Sequence, residues 1–445
     1  MAVKTNEGSC CFRYRVAPKV KSMNSDRELW AELGMDVELH DKLMQTIDSS
    51  FREQVLAQTN RPSTMAYFDE AVHAAHGERV REIIAHREAG GKFVGTFCIF
   101  VPDELILALG GLPLALCGGT SFTEPYAERL MPRDICPLIK STLGLAFSKT
   151  CPYAPLEDLS VGETTCDAKK KVWDFLAPRS HFHVMEVPQK KQPRDQRLWH
   201  EEVLALKDRL EAVTGRTLDR EGLAAGIRLM NRKRRALQAL NDFRKADRPP
   251  LSGLDALLVS QIALIDDVTR FCERCEALNE ELAERVRQGI GVAALNAPRL
   301  MLSGCPSVLG NWKLHSVIES SGGLIVCDES CTGTRYYSHL VDETPTDLDG
   351  QIAALADRYL QIDCACFSPN TERLENVVAL AREYRVSGVV HYVLQYCHGY
   401  NIEAVGLTSV LKKAGFRSLK INTDYSSEDT QQLKTRVEAF FEVHG

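Results

Sequence analysis

The sequence predicts an α/β protein made of two Rossmann-like parallel-sheet units related by an internal repeat. An N-terminal helical region precedes them and a helical insertion lies between them. Three observations carry this reading. Short apolar runs alternate with helical periodicity between residues 92 and 187 and again between 299 and 422, the rhythm of β-α-β crossovers. The two stretches share a layout of strand, cysteine, helix, Gly-Gly-Leu, strand and cysteine: Cys98, Gly110-Gly111-Leu112 and Cys117 in the first, Cys305, Gly322-Gly323-Leu324 and Cys327 in the second. From about Gln196 to Gly291 the pattern is almost wholly helical and charged.

In order along the chain, residues 1 to about 66 are polar and mixed. Apolar residues at helical spacing then run from Tyr67 to about Ala89, stopped by Gly90-Gly91. Lys92–Cys98 reads as a strand, and Pro102–Gly110 as a helix opened by proline and closed by glycine. Leu112–Cys117, Asp158–Thr165 and His181–Val187 read as three further strands. In the insertion, the basic run Arg232-Lys233-Arg234-Arg235 reads as a solvated helix face. Strands resume at Arg299–Cys305, Gly323–Cys327, Ser387–Cys397 and Phe416–Asn422, and a helix closes the chain from about Ser427 to Phe441. The expected division is 1–90, 91–195, 196–297 and 298–445: helical region, first α/β unit, helical insertion and second α/β unit.

Composition narrows the function. Over 445 residues, 44% hydrophobic and 26% charged residues are ordinary for a globular chain, and a net charge of −6 offers no electrostatic case for nucleic acid. The start, Met1-Ala-Val-Lys-Thr-Asn-Glu-Gly8, has no apolar core of signal-peptide length, and the apolar stretch Phe93–Cys117 is broken by Pro102, Asp103, Glu104 and Pro113. Export and membrane insertion are therefore not expected, and a cytoplasmic location is. The unusual number is 15 cysteines. In a reducing compartment these are not structural disulfides, so clustered thiols point to metal ligation.

Six thiols fall at predicted strand ends or helix starts: Cys98, Cys136, Cys166, Cys305, Cys331 and Cys397. Parallel sheets bind ligands beyond the carboxyl ends of their strands, so three thiols from each unit are expected to converge on one cleft. Cys117 and Cys327 read as core residues inside strands. The Cys272-x2-Cys275 pair lacks a second pair nearby and reads as a helix face rather than a zinc site. Scattered soft thiolates suit an iron–sulfur cluster better than zinc. No phosphate loop or dinucleotide fingerprint occurs, since Gly90-Gly91-Lys92 has neither the spacing nor the hydroxyl. If such a cluster needs energised electrons, they are expected to come from another protein.

Thr96-Phe-Cys98 followed by Pro102-Asp-Glu-Leu resembles the opening motif of the 2-hydroxyacyl-CoA dehydratase superfamily, which includes benzoyl-CoA reductase subunits. Further blocks are similar to its double-cubane cluster proteins: Arg133-Asp-Ile-Cys136-Pro, Cys151-Pro-Tyr, Gly162-Glu-Thr-Thr-Cys166-Asp, Gly304-Cys305-Pro, Glu329-Ser-Cys331-Thr-Gly, Cys364-Ala-Cys366-Phe-Ser-Pro-Asn, Gln395-Tyr-Cys397-His-Gly and Thr423-Asp-Tyr-Ser. The chain departs from the pattern at Ala168, where a glycine usually follows the Asp.

The resemblance implies a cytoplasmic homodimer. Each subunit would hold an [8Fe–9S] double-cubane cluster on six cysteines and take electrons from an ATP-hydrolysing [4Fe–4S] activator protein to reduce a small-molecule substrate. By position the expected ligands are Cys98, Cys136, Cys166, Cys305, Cys331 and Cys397, with Cys151, Cys364 and Cys366 as rivals. Glu329 and His398 are the candidate proton donors, each also readable as an ordinary hydrogen-bonding residue. One alternative is an (R)-2-hydroxyacyl-CoA dehydratase subunit with a single [4Fe–4S] cluster. The other is a non-catalytic metal-binding protein.

Overall fold

The computed structural model describes residues 25–177 and 181–442, so the first part of the N-terminal region, with Cys10, Cys11 and the export reading, lies outside the described residues. The strands of the first unit are β1 (Lys92–Thr96), β2 (Gly111–Ala115), β3 (Leu159–Glu163) and β4 (Phe182–Met185), in spatial order β2-β1-β3-β4. The second unit repeats that order with β5 (Arg299–Gly304), β6 (Leu324–Glu329), β7 (Gly388–Leu394) and β8 (Arg417–Thr423), arranged β6-β5-β7-β8. Every pairing is parallel. The internal repeat is thus one of topology as well as of motif. In each sheet the order reverses beside the first strand, so the crevice lies between the loops that follow β1 and β3, or β5 and β7.

Near-continuous burial of β3, β6 and β7 is what a sheet covered on both faces requires. The cover comes partly from the insertion, whose helices span Pro193–Thr214, Arg220–Phe243, Gly253–Ile262 and Val268–Arg287. Asp219, Ser252 and Asp267 cap the last three of these with side-chain acceptors at backbone N–H groups.

The basic run does not behave as a solvated face. Arg232 is half-buried and Arg235 exposed, paired with Glu276 and Glu343, but Lys233 and Arg234 are buried. Helical periodicity turns the latter two inward, where Arg234 meets Glu104 at 2.7 Å and the Tyr359 hydroxyl donates to the same carboxylate at 2.7 Å. Burial alone would raise Glu104, yet Arg234 and Arg358 outweigh it and hold the carboxyl low. This knot ties the first unit to the insertion and to the second unit.

The two units also touch backbone to backbone. A Cβ on Gly119 would lie 2.6 Å from the Leu309 carbonyl oxygen and 2.8 Å from that of Val308, so only glycine permits the approach. No helix among the described residues is long and apolar enough to cross a membrane.

The single helix expected over Tyr67–Ala89 is two, Met65–Ala74 and Glu78–Glu88. The break has a cause: the Trp30 indole donates to the His76 carbonyl at 2.6 Å, and Gly77 lies so close to Asp26 that a side chain there would collide at 2.6 Å. His76 and His40 share a hydrogen bond of 2.9 Å beneath Trp30. Burial lowers His40 from 6.5 to about 4 and His76 from 6.5 to about 3. Both rings therefore bind fewer protons folded than unfolded, so stability is complete above pH 6.5 and falls as pH drops from 6.5 toward 4. Thermal unfolding should show this region losing on the order of 2 kcal/mol between about pH 7 and about pH 5. In a His40→Gln variant that part of the slope should flatten.

Candidate metal centre

All six expected thiols lie on one cavity of about 470 Å³ beyond the carboxyl ends of both sheets. Parallel strands explain the convergence, because every strand of a unit delivers its following residue to the same edge. After β1 comes Cys98 and after β5 comes Cys305; after β3 comes Cys166 and after β7 comes Cys397. Cys331 follows β6, and its counterpart after β2 is Cys117. The sequence places Cys117 inside the second strand, but β2 ends at Ala115 and the thiol faces the same cavity. Cys136, Cys364 and Cys366 reach it from the long crossovers that follow β2 and β6.

Local structure aims the thiols. Cys136, Cys166 and Cys397 are the N-cap residues of the helices Pro137–Phe147, Asp167–Leu176 and His398–Lys413, where free N–H groups favour a thiolate. The Lys169 amide donates to Cys166 Sγ at 3.5 Å. Gly304, with φ at +142°, ends β5, and a Cβ there would lie 2.0 Å from the Tyr392 carbonyl oxygen. The glycine lets the Cys305 amide donate to that same carbonyl at 2.9 Å, fixing the turn that carries the thiol.

The thiols form two groups. In one, Cys305 donates a hydrogen bond to Cys397, raising itself and lowering Cys397, and Cys136 and Cys166 face the same pair. In the other, Cys366 donates to Cys364, which falls to about 6, while Cys98 and Cys331 lie alongside. Burial pushes Cys331 up to about 11, moderated by Arg335, and lifts Cys98 and Cys305 well above the usual thiol range. Cys364 and Cys397 feel one another and join the groups. Among the described residues no three His, Cys, Asp or Glu side chains converge tightly enough to hold a single metal ion. The nine thiols on this cavity are soft donors, the ligand chemistry that an iron–sulfur body takes.

Two cations that sequence reasoning missed offset the thiolate charge. Lys169 donates to the Phe97 carbonyl at 2.8 Å and to Glu163 at 2.5 Å. Burial disfavours its charge, but Glu163, Cys98 and Cys117 outweigh burial and keep the ammonium protonated. Arg335 lies 4.0 Å from Cys331 Sγ and hydrogen-bonds the Tyr400 hydroxyl. The available signal for Lys169 was its place three residues after Cys166, in the first turn of the same helix.

Some candidates lie elsewhere. Cys151 lines a separate cavity of about 50 Å³ beside Glu157, and Cys272 and Cys275 are packed in the core, as is Cys327. His398 is exposed at the cavity mouth beside Tyr396 and Cys166. Glu329 does not line the cavity. It accepts from Arg335 at 2.5 and 2.9 Å, from Arg373 at 2.9 Å and from Ser303 at 2.6 Å. Burial would raise it, yet the two arginines hold it down at about 2. A carboxylate so saturated carries no proton to give near neutrality and instead anchors Arg335 beside Cys331. Glu329→Ala would strand two buried guanidinium groups, so stability measured by urea titration should fall by about 3–5 kcal/mol.

The arrangement is that of a two-unit α/β protein with a shared, thiol-lined cavity. A family model described as the 2-hydroxyglutaryl-CoA dehydratase, D-component matches residues 98–443, and the chain belongs to that family. It is 39% identical over 364 residues to the provisionally named dehydratase subunit YjiM of Escherichia coli (strain K12), covering 80% of this chain and 92% of that one. It is 22% identical to the (R)-phenyllactyl-CoA dehydratase beta subunit of Clostridium sporogenes, over 81% of this chain and 94% of the relative. It is 25% identical to a benzoyl-CoA reductase subunit of Thauera aromatica, over 69% of this chain and 78% of the relative.

Proposed function

We propose that this chain is an iron–sulfur reductase carrying an [8Fe–9S] double-cubane cluster in the thiol-lined cavity. Its electrons would come from an ATP-hydrolysing activator protein with its own [4Fe–4S] cluster, and it would work as a cytoplasmic homodimer on a small-molecule substrate. The observation that carries the reading is the gathering of nine cysteine side chains, four from the first unit and five from the second, on one cavity. Cys98, Cys136, Cys166, Cys305, Cys331 and Cys397 are the proposed ligands, with Cys364 and Cys366, on the same cavity, as rivals for one of those six places. Such a cluster, when bound, supplies single electrons at low potential.

The chain's own residues set the conditions. Lys169 and Arg335 hold positive charge against the thiolates, Glu329 and Arg373 fix Arg335, and the helix N-termini at Cys136, Cys166 and Cys397 add partial positive charge. The exposed residues His398 and Tyr396 leave the mouth open to solvent and a substrate. His398 is placed to exchange protons there.

A second reading, a dehydratase subunit with one [4Fe–4S] cluster, is favoured by the similarity to the (R)-phenyllactyl-CoA dehydratase beta subunit. Iron and acid-labile sulfide per chain after anaerobic purification separate the two: about eight iron atoms support the first and about four the second. A preparation holding stoichiometric zinc and no iron would favour a non-catalytic metal-binding protein instead. Cys305→Ala and Cys364→Ala should each lower iron content, and Cys151→Ala should leave it unchanged. Full iron in the Cys305→Ala chain would remove that residue from the ligand set.

A further inference from the structure

One stretch of the cavity wall holds neither thiols nor the cations that face them. Asp103 opens the short helix Asp103–Ala108 of the first unit, and Tyr336 lies in the turn of helix Thr334–Tyr337 of the second unit; both line the cavity. Tyr336 is only 4% exposed; its hydroxyl oxygen faces the Lys233 ammonium, and among the described residues its O–H proton has no acceptor. Behind the two, buried in the insertion helix Arg220–Phe243, the Lys233 ammonium lies over the rings of Tyr336 and Phe271, at 5.3 and 5.7 Å. Asp103 and Lys233 both act on the Tyr336 hydroxyl, so the three share one neighbourhood. A buried phenol of this kind, set on the same cavity as a carboxyl group, leaves hydrogen-bonding capacity aimed at whatever enters.

We propose that Asp103 and Tyr336 are the proton-delivering pair of this cavity, Asp103 as the catalytic acid and Tyr336 as the hydroxyl that holds the substrate's polar group against it. This rests on the reductase reading above. The step balances simply. The Asp103 O–H bond would break as that proton bonds to a substrate atom reduced by two successive single-electron transfers, the electrons being those the activator protein delivers to the chain. The carboxylate left behind faces Lys233 and regains a proton from water at the mouth.

The charged groups around Asp103 are suited to a reversible acid. Burial raises it to about 6, with Glu104 pushing the same way, while Lys233 and Arg234 from the insertion helix and Arg358 from the second unit hold it from rising further. A group titrating there can both give and retake a proton near neutral pH. By contrast Glu329, the acid that stood out in the sequence, is locked as an anion.

The test uses the anaerobically purified full chain, its Asp103→Asn, Asp103→Glu and Tyr336→Phe variants, and two readouts that need no substrate. Isotope-edited infrared spectra with 13C-aspartate should show a protonated carboxyl band that is lost with a midpoint near pH 6, absent from the Asp103→Asn chain. The reduction potential of the bound cluster should depend on pH across that same midpoint in the parent and the Asp103→Glu chain. In the Asp103→Asn chain it should not, and Tyr336→Phe should move the midpoint without changing iron content. Retention of the band, or of the pH-dependent potential, in an Asp103→Asn chain with normal iron overturns the assignment alone. A parent chain that binds no iron overturns the reading it rests on and the assignment with it.

Discussion

The governing constraint is strand direction. All eight strands run parallel within their sheets, so whatever follows a strand is delivered to one edge. Once two such sheets present those edges to one cavity, residues scattered from Cys98 to Cys397 become neighbours without any local motif. The repeat makes the arrangement economical: each of the first three strands in both units is followed within three residues by a cysteine that reaches the cavity.

Gathering so many thiols creates an electrostatic problem that the surrounding charges address. Neighbouring thiolates repel, and burial disfavours each of them. The structure answers with Lys169 on one side and Arg335 on the other, each locked by a fully or nearly fully buried glutamate, Glu163 or Glu329. The acids are therefore part of the scaffold that fixes the cations. Asp103 and Tyr336 face the same cavity beside a third buried cation, Lys233.

Strand ends and helix starts were legible because a cysteine after an apolar run, or before the first turn of a helix, is a local signal, and the six residues so chosen do share the cavity. Cys117 was misread by two positions, the distance between a strand's apolar pattern and its last paired residue at Ala115. Cys364 and Cys366 stood out only through their motif block, because they lie in a long crossover whose path is set by tertiary packing rather than at a strand end. The role of Glu329 depends on Arg335 and Arg373, the burial of Arg234 on Glu104 and Tyr359, and that of Lys233 on Phe271 and Tyr336, all far along the chain. Composition marks such residues as charged, but only the fold decides which of them meet.

The backbone contact at Gly119 has a mechanical meaning. The halves that carry the sulfur atoms rest on one another there with no side chain between them, so the glycine works as a stop of zero thickness. Any bulk added at that position would act as a shim, prising the halves apart and widening the gap an inorganic guest must fill. The gauge of the chamber is thereby fixed by a residue that never touches its contents.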